Sequence, residues 1–423
     1  MRTSDVVVIG LGFTGLPTAL AVAEAGLTVV GVDVSPDRVR QITDGIPGFG
    51  LGTVSEDGVR EAVVSGRLRI TDGGVPRART YIICVPTPPD RRGGVEMTAL
   101  SGAVSAIATV IGAGDLVLVQ STCPPGTLDE RLVPLLEERS GLRVGRDFHM
   151  ASAPMRIDPG RSTHSFGAIP RVVGGCTRAC AERAVRFVAA VGNTVVQVGT
   201  PLAAELVKVF ENTFRMVNIS LVNELAALCR ASGVDVDEVL RAAGTKPFGF
   251  LAHRPSAGAG GDCVPVAARY FSLGARRHGL HSPVVDAALA VNDAMPSHTV
   301  HRLEAALGKT LRGSRILVVG VAYKADMANV RQSAAVAVVE ELRRTARVEY
   351  HDPHVPRLDL PDGSVLHGVD LDAVDWSSVD IVVVMTKHRA VDHDSLSARG
   401  VPTFDCTTGD PVVMGAPDTA VAA

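Results

Sequence analysis

The chain has no apolar run approaching the roughly 18 residues that a membrane-spanning helix needs, so no transmembrane segment is expected. It has no surplus of either charge: 42 Lys and Arg stand against 45 Asp and Glu, a net of -3. That balance excludes a nucleic-acid binder working by bulk electrostatics. Its seven cysteines are scattered. Cys176 and Cys180 form a close pair, but no nearby His or second Cys pair completes a zinc site, and no metal is expected. The opening Met1-Arg2-Thr3-Ser4-Asp5 shows no signal-peptide pattern and leads at once into a strand. These absences predict a reduced, cytoplasmic protein. What the chain does have is apolar residues: 46% of 423 positions, enough for two or three domains with a large core.

The fold class predicted is α/β. Val6-Val7-Val8-Ile9 is an apolar run of the buried parallel-strand kind. A helical stretch follows from Pro17 to Ala25, and Thr28 to Asp33 reads as a second strand ending in an acid. Tyr81 to Val85 and Leu116 to Gln120 are later strands of a doubly wound domain reaching to about Val198. From Pro201 to about Ala231 the pattern is helical. Leu206, Phe210, Phe214, Val217, Leu221, Leu225 and Leu228 form an apolar seam, with Lys208, Asn212 and Arg215 on a different face. Such a helix would connect two domains and help build a homodimer; a plain core helix fits the seam equally well. A second α/β segment begins near Arg312, with strands at 315–320, 347–352 and 380–385. The tail after Pro411 is rich in Ala, Pro and Gly and is expected to fray.

Gly10-x-Gly12-x-x-Gly15 lies between a strand and a helix, the context a dinucleotide fingerprint requires. Its first glycine makes the turn, its second admits the pyrophosphate and its third lets helix and strand approach. Helix N-terminal amides then face the phosphates. The loop residues Gly10, Gly12, Phe13, Thr14 and Gly15 are therefore read as cofactor-binding. Asp33 ends the second strand, where a carboxylate holds ribose hydroxyls and repels a 2'-phosphate, so NAD is favoured over NADP. Arg38 is placed at the adenosine pocket. Cys84-Val85-Pro86-Thr87-Pro88 and Ser121-Thr122-Cys123-Pro124-Pro125-Gly126-Thr127 follow strands at the sheet edge where ligands sit. That puts Pro86, Thr87, Ser121 and Thr122 beside the cofactor, although either loop alone reads equally as a proline-rich connection.

Three further groups carry chemistry. Lys208 and Asn212 stand one helical turn apart, and a cation with an amide can stabilise an oxyanion; a solvated polar face has the same spacing. Lys324, after Gly320-Val321-Ala322-Tyr323, and Arg331 suit a diphosphate, as would an ordinary surface pair. Cys263 sits in Gly258-Ala259-Gly260-Gly261-Asp262-Cys263-Val264-Pro265. A thiol on a glycine-rich loop can approach a substrate closely, and beside a nicotinamide it suggests alcohol oxidation through covalent states. A small buried hydrophobe is the competing reading of a lone cysteine.

Taken in order, these residues resemble the nucleotide-sugar 6-dehydrogenases, the group of UDP-glucose, GDP-mannose and UDP-N-acetylhexosamine dehydrogenases, over nearly the whole chain. Thr245-Lys246-Pro247-Phe248-Gly249-Phe250 and Glu211-Asn212-Thr213-Phe214-Arg215-x-Val217-Asn218-Ile219 look most like the UDP-N-acetylglucosamine and UDP-N-acetylmannosamine branch. The resemblance implies two Rossmann-like doubly wound domains joined by a central helical one. Residues 1–198 would bind NAD, 199–300 would dimerise, and 301–423 would bind the nucleotide sugar. It implies two oxidations at sugar C6, from alcohol through aldehyde to acid. Cys263 would be the nucleophile and Lys208 the oxyanion stabiliser. Asn212 and Thr122 would position substrate and water. Lys324 would contact the diphosphate, and Arg331 would reach cofactor or substrate. Phe248, Gly249, Phe250 and Gly260 would line the substrate site.

The chain departs from the family pattern at its acids. Met155, in Ala153-Pro154-Met155-Arg156, stands where the family has a glutamate. Ala267, in Val264-Pro265-Val266-Ala267, stands where it has an aspartate. Neither replacement can move a proton. Asp262 replaces the usual His or Ser, and Ala328-Asn329 replaces an acidic pair. The expected function is NAD-dependent oxidation at C6 of a UDP-hexosamine or UDP-hexose, to the aldehyde or the uronic acid. The alternatives are a partial reaction, stopping at the aldehyde, epimerising through transient oxidation or transferring the acyl group, and a non-catalytic nucleotide-sugar-binding paralogue.

Overall fold

The computed structural model describes residues 4–48, 54–90, 94–157, 166–408 and 413–414. They fall into two compact units, Met1–Asn212 with Val266–His281, and Thr213–Pro265 with Ser282–Ala423.

The first unit is built on an eight-stranded sheet. Its strands are β1 (Val6–Ile9), β2 (Val29–Val32), β3 (Leu68–Thr71), β4 (Thr80–Ile83), β5 (Leu116–Val119), β6 (His149–Ser152), β7 (Arg171–Gly175) and β8 (Val195–Val198). The order is β3-β2-β1-β4-β5-β6-β7-β8. The first six strands are parallel in the doubly wound dinucleotide-binding order, and β7 joins β6 antiparallel, carrying β8 with it. Alternation along β1 explains the two cores. Val6 and Val8 face one side with Leu16, Ala19 and Leu20 of the helix Gly15–Glu24. Val7 and Ile9 face the other with Leu100, Val104 and Ile107. Every residue of β1 is buried because both faces are covered.

The helix Pro201–Ala231 begins within this unit. Its inward face is polar as well as apolar: Glu205, Lys208, Val209, Asn212, Thr213 and Met216 are all buried. Leu206, Phe210, Phe214, Leu221 and Leu228 are exposed instead. The seam is thus not that of a plain core helix; it points outward. Lys208 and Asn212 are not on a solvated face, and Arg215, expected beside them, is the one of the three that is exposed.

The second unit contains a sheet of β9 (Arg315–Val319), β10 (Arg347–His351), β13 (Ile381–Val384), β14 (Thr403–Asp405) and β15 (Val413–Met414), with a hairpin of β11 (Arg357–Asp359) and β12 (Val365–His367). The sheet order is β10-β9-β13-β14-β15, with only β15 antiparallel. The tail expected to fray lies outside the described residues, apart from Val413–Met414, which pair with β14. Among the described residues no helix is long and apolar enough to cross a membrane.

Candidate active site

The glycine-rich loop after β1 has the geometry its sequence predicts. Gly10 turns with φ 87°, where any side chain would be strained. A Cβ on Gly15 would lie 1.7 Å from the Gly10 carbonyl oxygen, so helix and loop meet there without space for a methyl group. A Cβ on Gly12 would meet nothing within 4 Å, leaving an open approach over the helix start. Asp33 follows β2. Its Oδ2 accepts from the Leu11 amide at 2.9 Å and its Oδ1 from the Ser35 amide at 3.0 Å. Each carboxylate oxygen keeps further acceptor capacity for a ribose diol. Open space at Gly12, a helix N-terminus and an available acid together fit a dinucleotide. Arg38 is buried beneath the loop rather than simply lining a pocket. Its Nε and Nη2 both donate to the Leu11 carbonyl at 3.0 and 2.9 Å, and burial pulls its guanidinium down to about 10.

The two loops at the ends of β4 and β5 are fastened to each other. Thr87 Oγ1 donates to the Thr122 carbonyl at 2.6 Å, and Ser121 Oγ donates to the Val85 carbonyl at 2.7 Å. Both hydroxyls expected at the cofactor therefore also hold the loop pair together. Pro86 is exposed, and Thr122 is half-buried between two buried neighbours. The Thr87 carbonyl takes a hydrogen bond from Tyr270 OH, which fixes the β4 loop from a third element.

Glu205 is the residue that sequence reasoning missed. It lies one turn before Lys208, and its carboxylate accepts from the Gly126 amide at 2.7 Å and the Leu128 amide at 3.0 Å. It thereby clamps the Thr122 loop to the helix that bears Lys208 and Asn212. Burial drives its carboxyl up to about 7 despite those two amides. The three-residue step from Glu205 to Lys208 was available in the sequence as a shared-face signal. Asn212 is buried, and its Nδ2 has no hydrogen-bond partner within the protein. Arg156 binds Glu211 and donates to the Pro170 carbonyl at 2.8 Å, tying the Ala153–Arg156 stretch to the same helix. Met155 and Ala267, the residues in place of acids, are both buried.

In the second unit, Cys263 is exposed, whereas the other six thiols are buried or half-buried. The buried-hydrophobe reading of Cys263 therefore fails. Its loop is held by two asparagines. Asn223 Oδ1 accepts from Ser256 N at 2.8 Å, and Asn292 Oδ1 accepts from Ala259 N at 2.7 Å. A Cβ on Gly260 would lie 2.6 Å from the Gln332 carbonyl oxygen, and one on Gly261 2.6 Å from the Tyr323 ring. The glycines are needed because the thiol loop lies directly against the segment 323–332. That segment carries Lys324, half-buried, and Arg331, exposed. Phe248 and Phe250 are exposed, with Lys246 Nζ 4.9 Å from the Phe248 ring centroid, and Gly249 between them turns with φ 66°.

Asp326, His354 and His388 bring potential ligand atoms within 4.8 Å of one another. His388 is already engaged at both nitrogens, by Asp352 Oδ2 at 3.1 Å and by the Asp326 amide at 2.9 Å. The cluster is a hydrogen-bond network as it stands.

The doubly wound order, the open Gly12 and the acid after β2 define a dinucleotide-binding domain. Three successive segments match the UDP-glucose/GDP-mannose dehydrogenase family: its NAD binding domain over residues 4–191, its central domain over 202–294 and its UDP binding domain over 317–407. A UDP-N-acetyl-D-glucosamine 6-dehydrogenase of Pseudomonas aeruginosa is 34% identical over 387 residues, covering 87% of this chain and 89% of that protein. Among solved structures, a UDP-D-ManNAc dehydrogenase from Pyrococcus horikoshii superposes with a TM-score of 0.83 at 30% identity, covering 100% of this chain and 98% of that one. A UDP-glucose dehydrogenase from Pyrobaculum islandicum gives 0.82 at 28% identity, covering 98% and 96%. The chain belongs to the UDP-glucose/GDP-mannose dehydrogenase family, NAD-dependent oxidoreductases acting at C6 of a nucleotide sugar.

Proposed function

We propose that the substrate is a UDP-N-acetylhexosamine and that oxidation at C6 proceeds through Cys263. NAD, when bound, supplies the hydride acceptor. After the alcohol has become an aldehyde, the Cys263 thiolate adds to the carbonyl carbon and gives a thiohemiacetal. Oxidation of that adduct gives a thioester, and water releases the acid and the thiol. Lys208 stabilises the oxyanion, with Asn212 and Thr122 positioning substrate and water. Lys324 contacts the diphosphate, and Arg331 the substrate or cofactor. Phe248, Gly249, Phe250 and Gly260 line the substrate. The observation that carries this reading is the buried polar face of the long helix, where Lys208 lies one turn from an Asn212 whose Nδ2 has no hydrogen-bond partner.

The division into 1–198, 199–300 and 301–423 belongs to the same reading, as does a homodimer built on the helix Pro201–Ala231. The exposed Leu206, Phe210, Phe214, Leu221 and Leu228 support the dimer, since a row of large apolar side chains in water calls for a partner. Sedimentation showing only monomer at micromolar concentration would remove it.

A second reading is favoured by Met155 and Ala267. With neither acid present, water activation is impaired, and the reaction stops at the aldehyde, isomerises or passes the acyl group elsewhere. Incubation with NAD and UDP-, GDP- and dTDP-sugars separates the two readings. Two NADH per sugar, with a gain of one oxygen and a loss of two hydrogens, marks full oxidation. One NADH with an aldehyde, or an isomer without NADH, marks the partial reaction. Binding without turnover marks a non-catalytic paralogue. Met155→Glu with Ala267→Asp should raise acid formation by about 10²–10⁴, the usual worth of a general acid or base. A melting curve checks that the buried carboxylates have not unfolded the variant.

A further inference from the structure

Two loops flank the switch point of the second sheet, and one buried histidine joins them. β9 pairs with β10 on one side and β13 on the other, all parallel. The carboxyl ends of β9 and β13 therefore border the place where ligands sit in an open α/β sheet. β9 runs into the segment that bears Lys324 and Asp326, and β13 into the segment that bears Thr386, His388 and Arg389.

The His388 side chain is fully buried and uses both ring nitrogens. Nδ1 accepts from the Asp326 amide at 2.9 Å. An accepting nitrogen carries no proton, so in the neutral ring Nε2 is the donor, and it meets Asp352 Oδ2 at 3.1 Å. That same oxygen takes the Val321 and Ala322 amides. His388 thus reaches the β9 loop on both sides of Lys324, at 321 and 322 through Asp352 and at 326 directly.

The loop needs holding. Among the described residues, the non-glycine positions with positive φ are Asp326 at 59° and Gln332 at 51°, and both lie in the segment 323–332. Aspartate tolerates that region better than most residues, but the conformation is uphill and persists only where its surroundings fix it. Three groups of the β13 loop do so. Thr386 Oγ1 donates to the Ala322 carbonyl at 2.7 Å. Arg389 donates to the Asp326 carboxylate from its amide at 2.9 Å and from Nε at 2.6 Å, but its side chain is 88% exposed, and an exposed ion pair contributes little. The bond to His388 Nδ1 is the one to Asp326 that is shielded from water.

We propose that His388 is a positioning residue for the nucleotide: by accepting from the Asp326 amide, its Nδ1 holds the Lys324–Asp326 turn in the shape that receives the diphosphate. The proposal rests on the reading that this crevice takes the substrate's nucleotide through Lys324, and Lys324→Met tests that reading alone.

The probe is UDP, titrated calorimetrically into the intact chain, with NAD titrated in parallel. Two amide side chains divide the histidine. In His388→Asn the side-chain oxygen can stand where Nδ1 stood and accept from the Asp326 amide. In His388→Gln the longer side chain reaches the place of Nε2 and keeps only the Asp352 bond. His388→Gln should weaken UDP binding about tenfold and His388→Asn less than about threefold, because only the first leaves the Asp326 amide without its acceptor. NAD affinity should be unchanged in both. Equal losses of UDP affinity in the two variants would mark a merely structural histidine and overturn the proposal, as would UDP binding by His388→Gln at the original strength. Lys324→Met should weaken UDP as well. If it does not while His388→Gln does, the Lys324 contact fails and the positioning of the turn stands; the reverse pattern keeps the contact and removes the positioning. No UDP binding by the unmodified protein would overturn both. Should His388→Gln fail to fold, Asp326→Ala takes its place, since it keeps the buried histidine and loses the side chain that tolerates a positive φ. Weaker UDP binding then supports the proposal, and unchanged binding overturns it.

Discussion

The two halves of this chain use one turn device for opposite ends. In the first sheet, the acid after β2 reaches back to the turn after β1: Asp33 Oδ2 accepts from Leu11 N at 2.9 Å, and Gly10 turns with φ 87°. In the second sheet, the acid after β10 does the same for the turn after β9. Asp352 Oδ2 accepts from Val321 N at 2.8 Å and Ala322 N at 3.0 Å, and Gly320 turns with φ 80°. The difference lies in what surrounds the acids. Asp33 is half-buried, while Asp352 is buried and sealed by His388. Gly12 opens onto free space, and its counterpart Ala322 carries a buried methyl group. At the third glycine position the second half has Ala325, and its crossover helix does not start until Ala334. Gly15, by contrast, lets its helix start at once against the Gly10 carbonyl. A shared backbone plan thus supplies a dinucleotide cradle in one half and a closed structural clamp in the other.

The largest expected effects come from filling the turns. Gly15→Ala sets a Cβ 1.7 Å from the Gly10 oxygen, and NAD affinity should fall by more than about 100-fold, because backbone must shift to relieve such overlap. Gly320→Ala sets a Cβ 2.1 Å from the Thr386 oxygen at a positive φ. It should lower the melting temperature while NAD titration is unchanged. If Gly320→Ala weakened NAD binding as much as Gly15→Ala, the functional division between the halves would be wrong.

Much of this contrast was legible beforehand. The apolar runs of β1, β2, β4, β5, β9 and β13 and the long helix stand close to where alternation and periodicity put them, because strands covered on both faces must be continuously apolar. The glycine fingerprint was legible because each glycine answers a separate steric demand. What the sequence hid was which face of the long helix turns inward. Its apolar seam is the larger signal, yet the buried side carries Glu205, Lys208 and Asn212. The partners that let Glu205 be buried, the Gly126 and Leu128 amides, lie 79 and 77 positions away in the chain. The antiparallel β7 was hidden too, since pairing direction leaves no mark on a short strand.

A second contrast concerns two buried carboxylates that clamp loop amides. Burial drives Glu205 up to about 7 against its two amide bonds. Asp352 is opposed by burial too, but the His388 bond and the Ala322 and His354 amides hold it below the ordinary aspartate value. The signs differ accordingly. A raised group contributes stability that is fully present below its unfolded pKa, about 4.5, and is lost as pH rises through about 7; the span is worth about 3 kcal/mol. A depressed group contributes stability present above its unfolded value, about 3.9, and lost as pH falls through its lower folded value. Glu205→Gln should therefore flatten the decline in denaturant midpoint between about pH 4.5 and 7. Asp352→Asn should alter only the acid limb. A Glu205→Gln variant whose midpoint still declines as steeply over that window would show that the carboxyl titrates elsewhere.

The smallest effect discriminates most finely between the two acids. Asp33 keeps acceptor capacity beyond its two amide bonds, so a ribose diol has a charged partner there and a 2'-phosphate meets a like charge. Asp33→Asn removes the charge at nearly constant shape. NAD affinity should fall about tenfold, the lower end of what a hydrogen bond to a charged group contributes, and NADP affinity should rise. Asp352→Asn, in the sealed clamp, should move neither. Loss of the Leu11 or Ser35 bond in Asp33→Asn would loosen the loop and weaken both cofactors together. Opposite movement of the two affinities in calorimetric titrations therefore separates a charge effect from a damaged loop. Parallel weakening would assign Asp33 a structural role like that of Asp352, and tighter binding of NADP by the unmodified protein would remove the carboxylate as the basis of the preference for NAD.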